Sequence, residues 1–237
     1  MLVAAAVCPC PPLLVPEVAA GAAPELDAAR AACSDALSVL AAARPDRLVV
    51  VGPVDGSGCE AYPEGGRGSF KGFGVDLGVR LGPAAAPDTA RPLPYSLAVA
   101  AWLLERVGWS DAPVEALGVG EQLPPEQCVR TGRDVAARDE RVALLVMGDA
   151  SACRTLKAPG YLDERAAPFD AEAARALGAV DLPALTALDA ALAGELKVSG
   201  RAPWQVLAGA AEGTDLDGSL LYEDAPYGVG YLVATWS

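Results

Sequence analysis

Three cysteines sit where apolar segments give way to loops: Cys10 in CPCPP (8–12), Cys59 in GSGCE (56–60) and Cys153 in GDASACR (148–154). A thiolate is both a nucleophile and a ligand for soft metals, so residues so placed could build a metal centre or a reactive thiol. The chain has no histidine. Neither a Ser-His-Asp nor a Cys-His triad can therefore exist. No CxxC pair occurs among Cys8, Cys10, Cys33, Cys59, Cys128 and Cys153, which argues against a structural zinc site. A reactive thiol needs a depressed pKa, and Arg154 beside Cys153 is the one hint of it. The plainer reading is six reduced thiols, each a small buriable hydrophobe.

Other chemistry-bearing residues have structural readings beside functional ones. Asp149 and Ser151 would hold their turn through side-chain-to-backbone hydrogen bonds. Arg154 and Lys157 are rare cations in an acidic chain. They could meet an anionic ligand, but a salt bridge to Asp163 or Glu164 is the expected use. Phe169-Asp170 reads as a helix start, with the acid in the first turn. No GxxxxGK[ST] loop, no GxGxxG opening a helix and no GxSxG elbow is present. Gly65, Gly66, Gly68, Gly72 and Gly74 suggest a flap that could cover a pocket. The acidic stretches 163–172 and 212–224 lack calcium-loop spacing.

The elements that must position these residues alternate. Strands are predicted over 2–7, 47–51, 75–81, 114–119, 142–147, 220–222 and 229–236, the last two as a hairpin. Helices are predicted over 22–43, 95–107, 125–139, 169–177, 183–196 and 203–211. The regions 52–74 and 82–94, rich in Gly and Pro, read as loops. Arg47–Val51 and Val142–Met147 are short continuous apolar runs, typical of strands buried on both faces. The alternation predicts one α/β domain with a largely buried sheet. In such folds the pocket lies at the strand ends, where 8–12, 52–59 and 148–154 fall.

Composition narrows the partners. With 18 basic and 31 acidic residues the net charge is −13, which argues against nucleic acid or an anionic membrane as partner. No run of about 18 apolar residues exists, so no membrane helix is expected. The start, MLVAAAVCPCPP, lacks a basic leader and reads as a first strand, so a cytoplasmic location is expected.

Four segments carry a family resemblance: CPCPPLLVPEV (8–18), VVVGPVDG (49–56), VMGDASACRTLKAPGYLDERAAPFD (146–170) and YEDAPYGVGYLVA (222–234). They resemble the class III extradiol ring-cleavage dioxygenases, the LigB-type superfamily. The most specific part is 146–170, where that family reads like GDLSHR, then a Gly/Pro loop, then an FD pair. The resemblance implies one domain over 1–237, an αβα sandwich around a mostly parallel or mixed sheet. It also implies an iron site of two His and one carboxylate, with a further His as acid/base. Here Cys10 takes the place of the first His, Val54 of the second and Ala152 of the acid/base. Glu223 is the candidate remnant of the carboxylate. An alanine moves no proton, and that step is typically worth about 10²–10⁴-fold.

Two functions follow from the resemblance. One is a non-catalytic scaffold that takes a small molecule or a protein partner, with no cofactor. Its pocket would comprise Cys10, Pro11, Val54, Asp149, Ser151, Ala152, Cys153 and Glu223. The other is an Fe(II)- or Zn-dependent enzyme with a remodelled site of Cys10 and Glu223, joined by Cys59, Cys153 or Asp149. A homodimer is a further implication.

Overall fold

The computed structural model describes residues 1–83, 91–138 and 140–237. The strands are β1 (Leu2–Cys8), β2 (Arg47–Val54), β3 (Cys59–Tyr62), β4 (Arg67–Ser69), β5 (Gly78–Arg80), β6 (Val114–Gly120), β7 (Val142–Met147), β8 (Gly218–Asp224) and β9 (Tyr231–Trp236). The helices are α1 (Pro16–Ala19), α2 (Asp27–Ala42), α3 (Tyr95–Val107), α4 (Pro125–Ala136), α5 (Ala166–Gly178), α6 (Leu182–Thr186), α7 (Ala190–Glu195) and α8 (Arg201–Ala210).

Seven strands form one sheet in the order β3-β6-β2-β7-β1-β9-β8. The central four, β6, β2, β7 and β1, run parallel. The hairpin of β8 and β9 adds antiparallel at one edge and β3 at the other. The fold is an αβα sandwich with a mixed sheet.

Period-two alternation explains its thickness. Val142, Leu144 and Val146 of β7 face one core, and Ala143, Leu145 and Met147 face the other. Both faces are dry, so the strand has no polar position. Residues of α2 and α3 fill one core and those of α4, α5 and α8 the other. The winding reverses between β6 and β7, and that reversal places the site. No helix of the described residues is long and apolar enough to cross a membrane.

The sequence reading needs correction in several places. Residues 52–74 are not all loop: β2 runs on to Val54, and β3 and β4 lie beyond it. The strand read over 75–81 is the short β5, paired with β4 in a separate two-stranded sheet. The glycine-rich stretch is no loose flap, because Phe70 is fully buried and a Cβ on Gly68 would meet Ala98 of α3 at 2.7 Å. The helix read over 22–43 begins at Asp27, after a 3-10 stretch from Ala20. The helix read over 183–196 is two helices, because Asp189 caps a fresh start by accepting from the Ala191 and Leu192 amides. The proline-rich loop read over 82–94 falls largely on 84–90, outside the described residues.

Candidate functional site

β1 and β7 are parallel neighbours whose chains leave the sheet in opposite directions. From β1 the backbone turns to α2 on one face. From β7 it turns to α5 on the other. A crevice must open between two such departing loops, and this is where α/β folds bind ligands. Asp149 stands in it, two residues past the end of β7.

Asp149 is held from three sides. Its Oδ1 accepts the Cys10 amide at 2.8 Å, which ties the two loops across the crevice. Its own amide donates to Ser199 Oγ at 3.0 Å, and its carbonyl accepts from the Gly200 amide at 2.9 Å. The approach of the α8 start demands glycine on both chains. A Cβ on Gly148 would lie 2.3 Å from Gly200 Cα, and one on Gly200 would lie 2.3 Å from the Trp204 ring.

Above Asp149 opens a cleft of about 730 Å³, lined by Tyr95, Glu121, Gln122, Asp149, Ala152, Ala190, Ala191, Ala193 and Gly194 of α7, Lys197, Val198, Ser199, Arg201 and Val229. Its size suits a small-molecule ligand. Burial pushes the Asp149 carboxyl up to about 7; the Cys10 amide opposes the shift and Glu121 adds to it. Burial also raises Glu121, with Asp55 adding and Arg201 opposing. Cys10 lies behind Asp149, fully buried, and burial followed by the charges of Asp149 and Glu121 drives its thiol well up. Tyr95 and Tyr231 are raised likewise, chiefly by burial.

Arg201 is buried and its donors are committed. Nη1 donates to the Leu123 carbonyl at 2.7 Å and to Gln205 Oε1 at 3.0 Å, and Nη2 donates to the Glu121 carbonyl. It fixes the loop after β6, and so fixes Glu121 at the cleft.

The structure gathers part of the expected pocket and scatters the rest. Asp149 and Ala152 line the cleft, and Cys10 backs it. Pro11 is buried and begins the turn at Pro12–Leu14. Val54 ends β2 and packs toward Gly118, away from the cleft lining. Ser151 is buried with Asp170: its Oγ donates to Oδ2 at 2.7 Å and its amide to Oδ1 at 2.8 Å. Asp149 and Ser151 thus brace neighbouring segments rather than their own turn.

Asp170 lies within α5, four residues past its start, and is 1% exposed. It also pairs with Arg154 at 3.0 Å, so Arg154 does not reach Asp163, which Arg165 holds instead. Cys153 Sγ faces the Gly160 and Leu196 carbonyls at 3.6 and 3.5 Å. Burial and Asp163 raise its pKa, the reverse of the activation that Arg154 hinted at.

The thiol and carboxylate candidates for a metal do not converge. Cys59 lies exposed on β3 and Glu223 on β8, the two opposite edges of the sheet. Six strand spacings separate them, about 29 Å. Glu223 borders a shallow depression with Arg154, Thr155 and Asp224, not the cleft. Among the described residues no group of three or more Cys, Asp and Glu side chains is arranged to hold a metal ion. The residues therefore do not fit the iron site that the resemblance implies.

Sequence reasoning missed Tyr95, Glu121, Lys197, Ser199 and Arg201. For Glu121 a signal existed, because it directly follows an apolar parallel strand. For Lys197, Ser199 and Arg201 none did, since only the α8 packing brings them to the β7 loop.

No family model matches the chain. No curated protein matches it either. Among solved structures it is similar to the crystal structure of uncharacterized protein JW3007 from Escherichia coli, with a TM-score of 0.57, 16% identity and 99% of each chain covered. That likeness is one of fold.

Proposed function

We propose that this chain is a histidine-less relative of the class III extradiol dioxygenases that binds a small molecule in the Asp149 cleft and does not cleave rings by that family's route. One observation carries the reading. At the strand-end crevice, the residue that the resemblance puts in the acid/base position is Ala152, on the cleft wall, while the Cys10 thiol is fully buried with its pKa driven up. What supports binding is a half-open cleft with an apolar wall and polar groups at its floor. The histidines that serve that family as metal ligands and acid/base have no counterparts on its lining. Function follows the site and not the fold.

The test is oxygen uptake with a panel of catechols, supplied with Fe(II) under reducing conditions. Uptake equal to the protein-free control is expected. Ring cleavage that depends on the protein would sink the reading.

A further inference from the structure

We propose that the cleft seats a small organic amine, its ammonium between Asp149 and Glu121 and its apolar body against Tyr95, Val198 and Val229. This rests on the reading that the cleft binds a small molecule, and names the class of that molecule. The first argument is an unspent acceptor. Asp149 lines the cleft; its Oδ1 is taken by the Cys10 amide, while Oδ2 has no hydrogen-bond partner among the described residues. A carboxylate oxygen without a protein partner in a cleft is open to a ligand's donor, and an ammonium is the donor that best complements its charge. Its titration is consistent with that demand: burial is what holds the proton on near neutrality.

The second argument is the balance of charge around the seat. Glu121 lines the same cleft with no hydrogen bond to its carboxylate, and Asp55 stands near enough to raise it further. Of the two cations on the lining, Arg201 has donors on the Leu123 and Glu121 carbonyls and on Gln205, while its charge still acts on Glu121. Lys197 is an exposed residue on the lining, where solvent screens its charge. An anion would have to settle against Asp149 in a molecule of net charge −13. Tyr95, 41% exposed, presents an aromatic ring where the body of an amine would lie.

Benzylamine, benzyl alcohol and benzoate offer one shape with three charges. Each is titrated into the whole protein, and binding is followed by NMR through the amides of Ala152, Ser199 and Val229. Benzylamine is expected to bind at least about tenfold more tightly than the alcohol, the preference a hydrogen bond to a charged group supplies, with benzoate weakest. Asp149→Asn, which keeps the acceptor for Cys10, should bring amine and alcohol within about threefold. Glu121→Gln, at an exposed position where folding is not at stake, should weaken the amine alone. Lys197→Met should strengthen it. Alcohol or benzoate binding as tightly as the amine, or an amine preference that survives Asp149→Asn, overturns the ammonium seat and leaves the cleft reading intact. Silence of these amides toward all three ligands overturns both.

Discussion

Asp149 accepts a backbone hydrogen bond that favours its charge, while burial works against that charge more strongly. An aspartate in an unfolded chain titrates near 3.9, whereas here the value is about 7. Between those values the folded protein holds a proton that the unfolded chain has released. The contribution of this group to stability therefore falls as pH rises through the window, and is lowest above it. Asp149→Asn keeps the oxygen that Cys10 needs and removes the charge. The variant is expected to gain on the parent between pH 5 and pH 8, by a few degrees in melting temperature. The other groups around the carboxyl, namely Cys10, Glu121, Tyr95, Tyr231, Arg201 and Lys197, are common to both proteins and cancel to first order. Equal differences in melting temperature at the two pH values would show that Asp149 ionises as an ordinary surface acid. Asp149 was legible in the sequence because it sits in a turn directly after an apolar run. Asp170 was legible only as a helix-start residue. Its bonds to Ser151 and Arg154 depend on how α5 folds back over the β7 loop, which no local pattern encodes.

Elements whose whole signal is hydrophobic period were read almost to the residue: α3 and β7 match their predicted limits, and β1 and β6 run one residue further. Burial sets those patterns, so the pattern reports the element. Among the failures are short elements in glycine-rich stretches. Three residues of β4 exist because β5 pairs with them and α3 covers them, and neither cause is local. The same close packing fixes the site. Gly148 lets the end of β7 lie against the start of α8, and through Ser199 and Gly200 this contact aims the Asp149 backbone. Gly148→Ala would place a Cβ 2.3 Å from Gly200 Cα, backbone against backbone, where no rotamer can relieve it. Separating the two segments is expected to cost about 1–3 kcal/mol, as overpacking in a dense core does. For a chain of this size that is a drop of several degrees in melting temperature. Gly21→Ala is the control, because a Cβ there meets nothing within 4 Å. A Gly148→Ala variant as stable as that control would mean that the α8 start is not seated on β7 as described.

At the scale of the whole molecule, a winding reversal sets where chemistry can gather, and side chains decide which chemistry. The sheet brings the loops after β1, β6 and β7 to one crevice, but sends Cys59 and Glu223 to its two edges. A metal bound only in the folded state adds RT ln(1 + [M]/Kd) to stability, about 2.7 kcal/mol when its concentration is a hundred times Kd. A remodelled iron or zinc centre would thus raise the melting temperature of the tag-free protein on addition of Zn(II) or Fe(II), by roughly 5–10 °C at such an excess. With Cys10 sealed behind Asp149 and its thiol driven up by burial, a shift below about 1 °C is expected for either metal, and the same in Cys10→Ala. A larger shift that Cys10→Ala abolishes would require the β1 and β7 loops to open and bring new ligands to the thiol. A larger shift that survives Cys10→Ala would place the metal on the acidic surface instead. Melting curves with and without metal separate these three cases, and the first and third leave the crevice to an organic ligand.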